Sequence, residues 1–343
     1  MKKHIAALAV PALLVTSNAM AIELYNDSTN SFSVGGRLNI AFENKKTDER
    51  NTTAEDMASR INFVFGRDMG NDWSATSVLE YGMATPQSDN FNSFYNRLGY
   101  VQIGHEDYGR FSFGKQWGTY FDVAGVTDVL WVYGSTANGT RENGGVAGTG
   151  RANDALIYRN NFGNVNVSAQ YQVSDQSNGR DRGYAAAIGY NLGDFTFGTV
   201  YNVMERTNAE KADIGADDAQ MWNTSVRYMT SNIYSAVSYG IYKDHISIGS
   251  LYGNGDQTLV AEKAHGLEAL YMYTLGSGIQ LYTAVNSLND DNSDARWQYY
   301  SLGTMYNWNE VLFYGELKFE DSKDEFGIDR NDNMGAIGVR YHF

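Results

Sequence analysis

The chain has 343 residues, 40 acidic against 26 basic, and a net charge of -14. This acidity argues against nucleic acid as a partner, and the absence of Cys excludes disulfide staples and thiolate chemistry. Only 2 Pro beside 36 Gly and 25 Tyr favours long, uninterrupted β-strands.

At the N-terminus, Lys2, Lys3 and His4 precede an apolar run over 5–15 and the small-residue site Ala19-Met20-Ala21. This is the pattern of a cleaved export signal, and the run falls short of the ~20 residues a membrane-spanning helix needs. Residues 1–21 are therefore predicted as signal peptide and 22–343 as the mature domain. Loss of Lys2 and Lys3 leaves 24 basic against 40 acidic residues, a mature charge of -16.

The mature chain alternates. Phe32, Val34, Gly36, Leu38, Ile40 and Phe42 share one face, against Ser33, Gly35, Arg37, Asn39, Ala41 and Glu43 on the other. That is period two over roughly the 9–11 residues of a tilted transmembrane strand. Further strands are predicted at 57–69, 73–83, 94–104, 110–116, 151–160, 165–173, 183–192, 195–204, 219–230, 233–242, 264–275, 279–287, 297–307, 311–320 and 334–343. The total is about sixteen, an even number as in bacterial outer-membrane barrels. Short turns at 70–72, 193–194, 231–232 and 276–278 alternate with longer polar segments, such as 44–56, 205–218, 243–263 and 320–333. One segment, 117–150, is far longer than the rest. Strands this long without an opposing sheet must close on one another in a bilayer. The predicted fold is all-β, a transmembrane antiparallel β-barrel. Trp73, Tyr190, Phe195, Tyr273 and Phe343, near strand ends, fit interfacial girdles. The last strand puts Ile337, Val339, Tyr341 and Phe343 on the lipid face, with Ala336, Gly338, Arg340 and His342 inward. Its ending on Tyr341 and Phe343 resembles the outer-membrane assembly signal of bacterial barrel proteins.

Several stretches carry a wider resemblance: "IELYNDSTNSFSVGGRLNIAF", "ASRINFVFGRDMGNDWSATSVLEYG", "RLGYVQIGHEDYGRFSFGKQWGTYFD", "VTDVL" and "IYRNNFG". In order and spacing they resemble the general diffusion porins of Gram-negative bacteria, the trimeric sixteen-stranded family, over essentially the whole mature chain. The resemblance implies that 117–150 is the third loop, folded into the lumen as a constriction. It implies a basic set on the wall, Arg37, Arg60, Arg97 and Arg151, each on the polar face by alternation, with Arg159 and Lys115 as further members. It implies facing acids at Asp128 and nearby Asp122. Where the family commonly has a Glu four residues after that Asp, this chain has Val132 between Trp131 and Tyr133, with Glu142 the candidate replacement.

The implied function is passive diffusion of ions and small hydrophilic solutes, selected by size, charge and dipole in a transverse field. The protein is then no enzyme and needs no cofactor or metal. Its expected partners are two further copies of itself, outer-membrane lipid and lipopolysaccharide, the assembly machinery and the permeating solutes. The acidic loops, 290–294 and 320–329, concentrate cations at the mouth, while a constriction one acid short leans to anions; weak cation selectivity is the balance expected. An oligosaccharide-selective porin is the alternative, because Trp117, Tyr120, Phe121, Trp131 and Tyr133 lie in or beside the loop. An enzymatic barrel is disfavoured: His105, His245, His265 and His342 accompany no nucleophile pattern. A receptor role for the loops is compatible with either channel.

Overall fold

The computed structural model describes residues 21–46, 50–84, 94–141, 143–248 and 260–343. Residues 1–20 of the predicted signal peptide, and Glu142, lie outside these residues.

Sixteen strands form the wall: β1 (Asn30–Lys46), β2 (Ser59–Gly70), β3 (Trp73–Met83), β4 (Phe94–His105), β5 (Gly109–Trp117), β6 (Arg151–Phe162), β7 (Val165–Gln172) and β8 (Arg180–Leu192) make the first half. The second half is β9 (Phe195–Arg206), β10 (Ala219–Met229), β11 (Ile233–Lys243), β12 (Lys263–Thr274), β13 (Ile279–Asp290), β14 (Arg296–Trp308), β15 (Val311–Glu320) and β16 (Met334–His342). Each pairs antiparallel with the next, and β16 pairs back to β1, from Arg37 opposite His342 to Asn44 opposite Gly335. The sheet is therefore a closed barrel, with the backbone ladder satisfied from strand to strand as hydrocarbon requires. All sixteen predicted strands are present.

The alternation explains the wall. On β15, Phe313, Leu317 and Phe319 are exposed, whereas Leu312, Tyr314, Glu316 and Lys318 are buried. The same two-residue rhythm runs through β12, where Leu267, Tyr271 and Tyr273 are exposed and Glu268, Leu270 and Met272 are buried. Exposed apolar rows of this kind are what a lipid-facing band requires. Of the predicted girdle residues, Trp73, Tyr190, Phe195 and Tyr273 are exposed and Phe343 is half-buried.

The seam brings residues 22–26 alongside the C-terminal strand. An additional strand, Ile22–Asn26, pairs with β1 from Ile22 opposite Val34 to Asn26 opposite Ser31. It continues the line of β16 along the same edge of β1, and Phe343 bridges the two by exchanging backbone hydrogen bonds with Gly36, 2.8 and 3.1 Å. A Cβ on Gly36 would lie 2.5 Å from the Arg60 carbonyl oxygen and 2.7 Å from the Phe343 ring. Gly36→Ala should therefore open the seam and destabilise the barrel by about 1–3 kcal/mol, as overpacking usually does. Heat-modifiable electrophoretic mobility checks this: the substituted barrel should unfold at lower temperature than the parent.

Three predicted loops are more ordered than expected. Residues 50–56 form a strand that pairs with 40–46 of β1, so most of 44–56 is a strand hairpin. Segment 205–218 contains helix Asn208–Ile214, capped by the Thr207 hydroxyl accepting from the Glu210 N–H at 3.2 Å. Segment 320–333 contains a two-residue bridge, 322–323 with 329–330.

Candidate functional site

Between β5 and β6 the chain leaves the wall for 33 residues, 118–150. It opens with a short helix, Thr119–Ala124, followed by a 3-10 turn, Gly125–Thr127. The entry and exit are tied together, since Gly118 N–H donates to the Gly150 carbonyl at 2.8 Å. No side chain caps the helix; its first N–H instead donates to Gln170 Oε1 on β7 at 2.8 Å. A helix this short is marginal alone, so its partners on the wall must hold it.

Those partners follow the wall in order, all on its polar face. Gln172 on β7 and Asn202 on β9 donate to the carbonyls of Gly145 and Ala147, at 3.1 and 2.9 Å. Ser225 on β10 donates to the Val123 carbonyl, 2.8 Å. Tyr234 and Tyr242 on β11 donate to Val126 and Ala137, each at 2.7 Å.

Two wall carboxylates form the strongest attachments. Glu268 on β12 accepts from the N–H groups of Ala137 and Asn138 at 2.7 and 3.2 Å and is in hydrogen-bond contact with the Thr127 hydroxyl. Glu316 on β15 accepts from three successive N–H groups, Trp131, Val132 and Tyr133, at 2.6, 3.0 and 2.8 Å, and from the Tyr282 hydroxyl at 2.7 Å. Each carboxylate gathers several donors of the segment at once, which no neutral side chain named above does. Nothing in the sequence linked these two acids to the segment.

Arg37, Arg60, Arg97 and Arg340 lie on β1, β2, β4 and β16. Arg37 on β1 stands directly opposite Arg60 on β2, and Asn39 directly opposite Arg340 on β16. Arg60 and Arg97 both bind Glu80 on β3, at 3.3 and 2.7 Å. The expected opponent of this set was a loop acid; the carboxylate that pairs with it here belongs to the wall itself. Arg97 also reaches the buried side by a different route from the one expected. Strict alternation with the exposed Val101 and Ile103 would turn it outward. The register instead shifts, with Glu80 opposite Leu98 and Tyr81 opposite Asn96, leaving Arg97 as the extra residue of a bulge. Arg97 and Leu98 are consequently both buried.

Other predicted site residues are placed as follows. Arg159 grips Asp122, with Nε to Oδ2 at 2.7 Å and a second bond at 3.1 Å. Arg151 lies over the Trp117 ring, 5.6 Å from its centroid. Asp128 ends the 3-10 turn and is half-buried, with Arg151 among its charged neighbours. Lys115 sits where β5 and β6 shift register, near Arg151 and Asp154. Trp131 lies under the guanidinium of Arg340, 4.1 Å from the ring centroid, and its indole N–H points to Met305 Sδ at 2.9 Å. Tyr133 packs with Tyr299 and Ala336. Arg340 was assigned inward from its strand but was not recognised as part of the basic set.

One titratable group holds the outer side of the segment. His245 Nε2 is 3.2 Å from the Gly139 carbonyl oxygen, beside Tyr242 and within the field of Arg206. Burial pushes its pKa down to about 4, with Arg206 adding to the shift. The folded-state value lies below the unfolded one, so neutral His245 contributes stability that is complete above about pH 6.5 and is lost as pH falls towards 4. The full effect is about 3 kcal/mol. Amide exchange at 137–141 should accelerate over that window, and His245→Gln should flatten the pH dependence.

A family model described as "Gram-negative porin" matches residues 6–325. The chain is 28% identical to outer membrane protein YedS of Escherichia coli and 27% identical to outer membrane porin F of Xenorhabdus nematophila, in both cases over 100% of each chain. Among solved structures it resembles Salmonella typhi OmpF in complex with daunomycin, with a TM-score of 0.79 and 19% identity, covering 94% of this chain and 100% of the other. It also resembles the trimer form of OmpT from Vibrio cholerae, with a TM-score of 0.69 and 15% identity, covering 92% and 100%. Those two likenesses concern the fold. Family match, full-length relatives and closed sixteen-stranded barrel agree: the chain belongs to the Gram-negative porin family, as an outer-membrane channel protein and not an enzyme.

Proposed function

We propose that segment 117–150 crosses the lumen and leaves an eyelet between itself and the basic wall, through which ions and small hydrophilic solutes diffuse. The observation that carries this reading is the one-sidedness of the attachments. The segment's hydrogen bonds go to wall side chains from β6, where Arg159 holds Asp122, through β8, where Arg180 donates to the Val146 carbonyl, to β15, while Arg37, Arg60 and Arg97 on β1, β2 and β4 are bound by Ala58 and Glu80 instead. A segment held along β6–β15 faces β1, β2 and β4 across a gap. Charged groups on both sides of a water-filled gap select by size, charge and dipole, with no bond made or broken.

The aromatic residues do not favour an oligosaccharide slide. Sugars need open ring faces, yet Trp131 has Arg340 on one face, Trp117 stacks on Phe121 at 4.0 Å, and Tyr120 is fully buried. Homotrimer formation, export by removal of 1–21, insertion directed by Tyr341 and Phe343, and contact with lipopolysaccharide are part of the same proposal. It draws for these on the family resemblance.

The native chain has no Cys, so a single engineered thiol reports cleanly. Asp128→Cys, treated with a bulky water-soluble thiol reagent during planar-bilayer recording, should lose most of its current in discrete steps. Complete modification without change in current would refute the eyelet at this position.

A further inference from the structure

We propose that the wall around Arg37 and Arg340 is a binding subsite for small oxyanions of the phosphate and sulfate class, and that it makes the channel anion-selective. This rests on the reading of 117–150 as the constriction, and names the solute class that constriction favours.

Arg340 is only 4% exposed, and its Nε has no hydrogen-bond partner. Among the described residues neither it nor Arg37 forms an ion pair; Arg37 has only the Ala58 carbonyl, 3.2 Å from its Nε. A buried guanidinium without a counter-charge is costly. The register makes the cost larger. Arg37 is directly opposite Arg60, and Arg340 is one position along the same face, opposite Asn39. Like charges on adjacent strands repel. Arg340, Arg60 and Arg97 all appear among the charges that act on Arg37, against Glu80 alone of opposite sign. Glu80 is already shared by Arg60 and Arg97. Four guanidinium groups thus gather around Glu80, with Glu316 the further carboxylate acting on Arg340.

Several other acids are committed elsewhere. Glu268 and Glu316 accept backbone N–H groups of the segment. At the mouth, Asp291 pairs with Lys263 and His265, and Asp321 with Arg296. These pairings weaken the cation-attracting field that composition alone suggests. Val132, with no charge, leaves Trp131 as the surface against Arg340.

The ligand chemistry follows from the stack. Trp131 occupies the face of the Arg340 guanidinium, which leaves its N–H edge for a partner in plane. Guanidinium edges match oxyanions in paired hydrogen bonds. A second guanidinium at Arg37 suits an anion with several oxygens better than a halide.

The test is the reversal potential of the purified protein in a potassium chloride gradient, followed by titration with inorganic phosphate. The wild type should reverse towards the chloride potential, and phosphate should reduce the chloride current. Arg340→Gln should lower the anion-to-cation permeability ratio by about threefold and relieve the phosphate block. Val132→Glu, which adds a carboxylate beside the stack and leaves Arg340 in place, should shift selectivity in the same direction and guards against misfolding of the first variant. A conducting but cation-selective wild type, or a phosphate block unchanged by both substitutions, overturns this inference and leaves the channel reading intact. A folded protein that does not conduct overturns both.

Discussion

Glu316→Ala is expected to release the tip of segment 117–150 while leaving the barrel folded. The substitution removes the acceptor of three backbone N–H groups and of the Tyr282 hydroxyl. Each buried donor left without a partner costs about 1–3 kcal/mol, the lower figure applying where water enters. Lumen water offsets part of the loss, so the three amides of the segment together lose about 3 kcal/mol. None of the four bonds belongs to the strand ladder, whose pairing of β15 with β14 and β16 is untouched. The thermal unfolding of the barrel should therefore change little. Amide exchange at Trp131, Val132 and Tyr133 should accelerate by about two orders of magnitude, and single-channel current should become noisier. Unchanged protection of those three amides would show that Glu316 is not the tether.

Gly266→Ala should displace the same segment from a second point. Gly266 lies on β12, and a Cβ there would sit 1.9 Å from the Ala137 carbonyl oxygen. That oxygen accepts from Tyr242, and the Ala137 N–H donates to Glu268, two residues along the strand. The backbone at 137 cannot move away without stretching both bonds. The expected penalty is about 1–3 kcal/mol on the segment, the usual range for forcing extra atoms into a packed site. Gly315→Ala is the control: its nearest neighbours would lie at 3.7 Å, an ordinary contact. Exchange protection at 136–138 should fall in the first variant and hold in the second. Equal behaviour of the two would contradict the close approach.

The wall was legible because lipid imposes a simple rule on it. A strand with hydrocarbon on one side and polar groups on the other must alternate, and the strand at 73–83 was delimited to the residue on that basis. The hairpin arm at 50–56 was missed for the same reason. Its sequence, RNTTAED, is polar on both faces and shows no alternation. Arg97 was expected on the polar face, whereas strict alternation turns it outward and only the bulge brings it to the buried side. A one-residue insertion is invisible without the partner strand's register.

The candidate site was legible in its parts and not in its connections. Arg37, Arg60 and Glu316 sit where the polar face of each strand puts them. What pairs with what depends on residues far apart in sequence: Glu268 meets Ala137 across 131 positions and Glu316 meets Trp131 across 185. Arg340 illustrates this most sharply. Its strand assigned it inward, but its neighbours Arg37 and Trp131 become neighbours only when the barrel closes and the segment is in place.

The most direct test of the account is the single-channel conductance of the full chain against a variant in which 129–137 is replaced by a short Gly-Ser linker. These residues carry the attachments to Glu316 and one of those to Glu268. If the segment narrows the lumen, both proteins form open channels and the shortened one passes a clearly larger ohmic current. Equal conductance from two correctly folded barrels would contradict the claim that this segment sets the width of the pore.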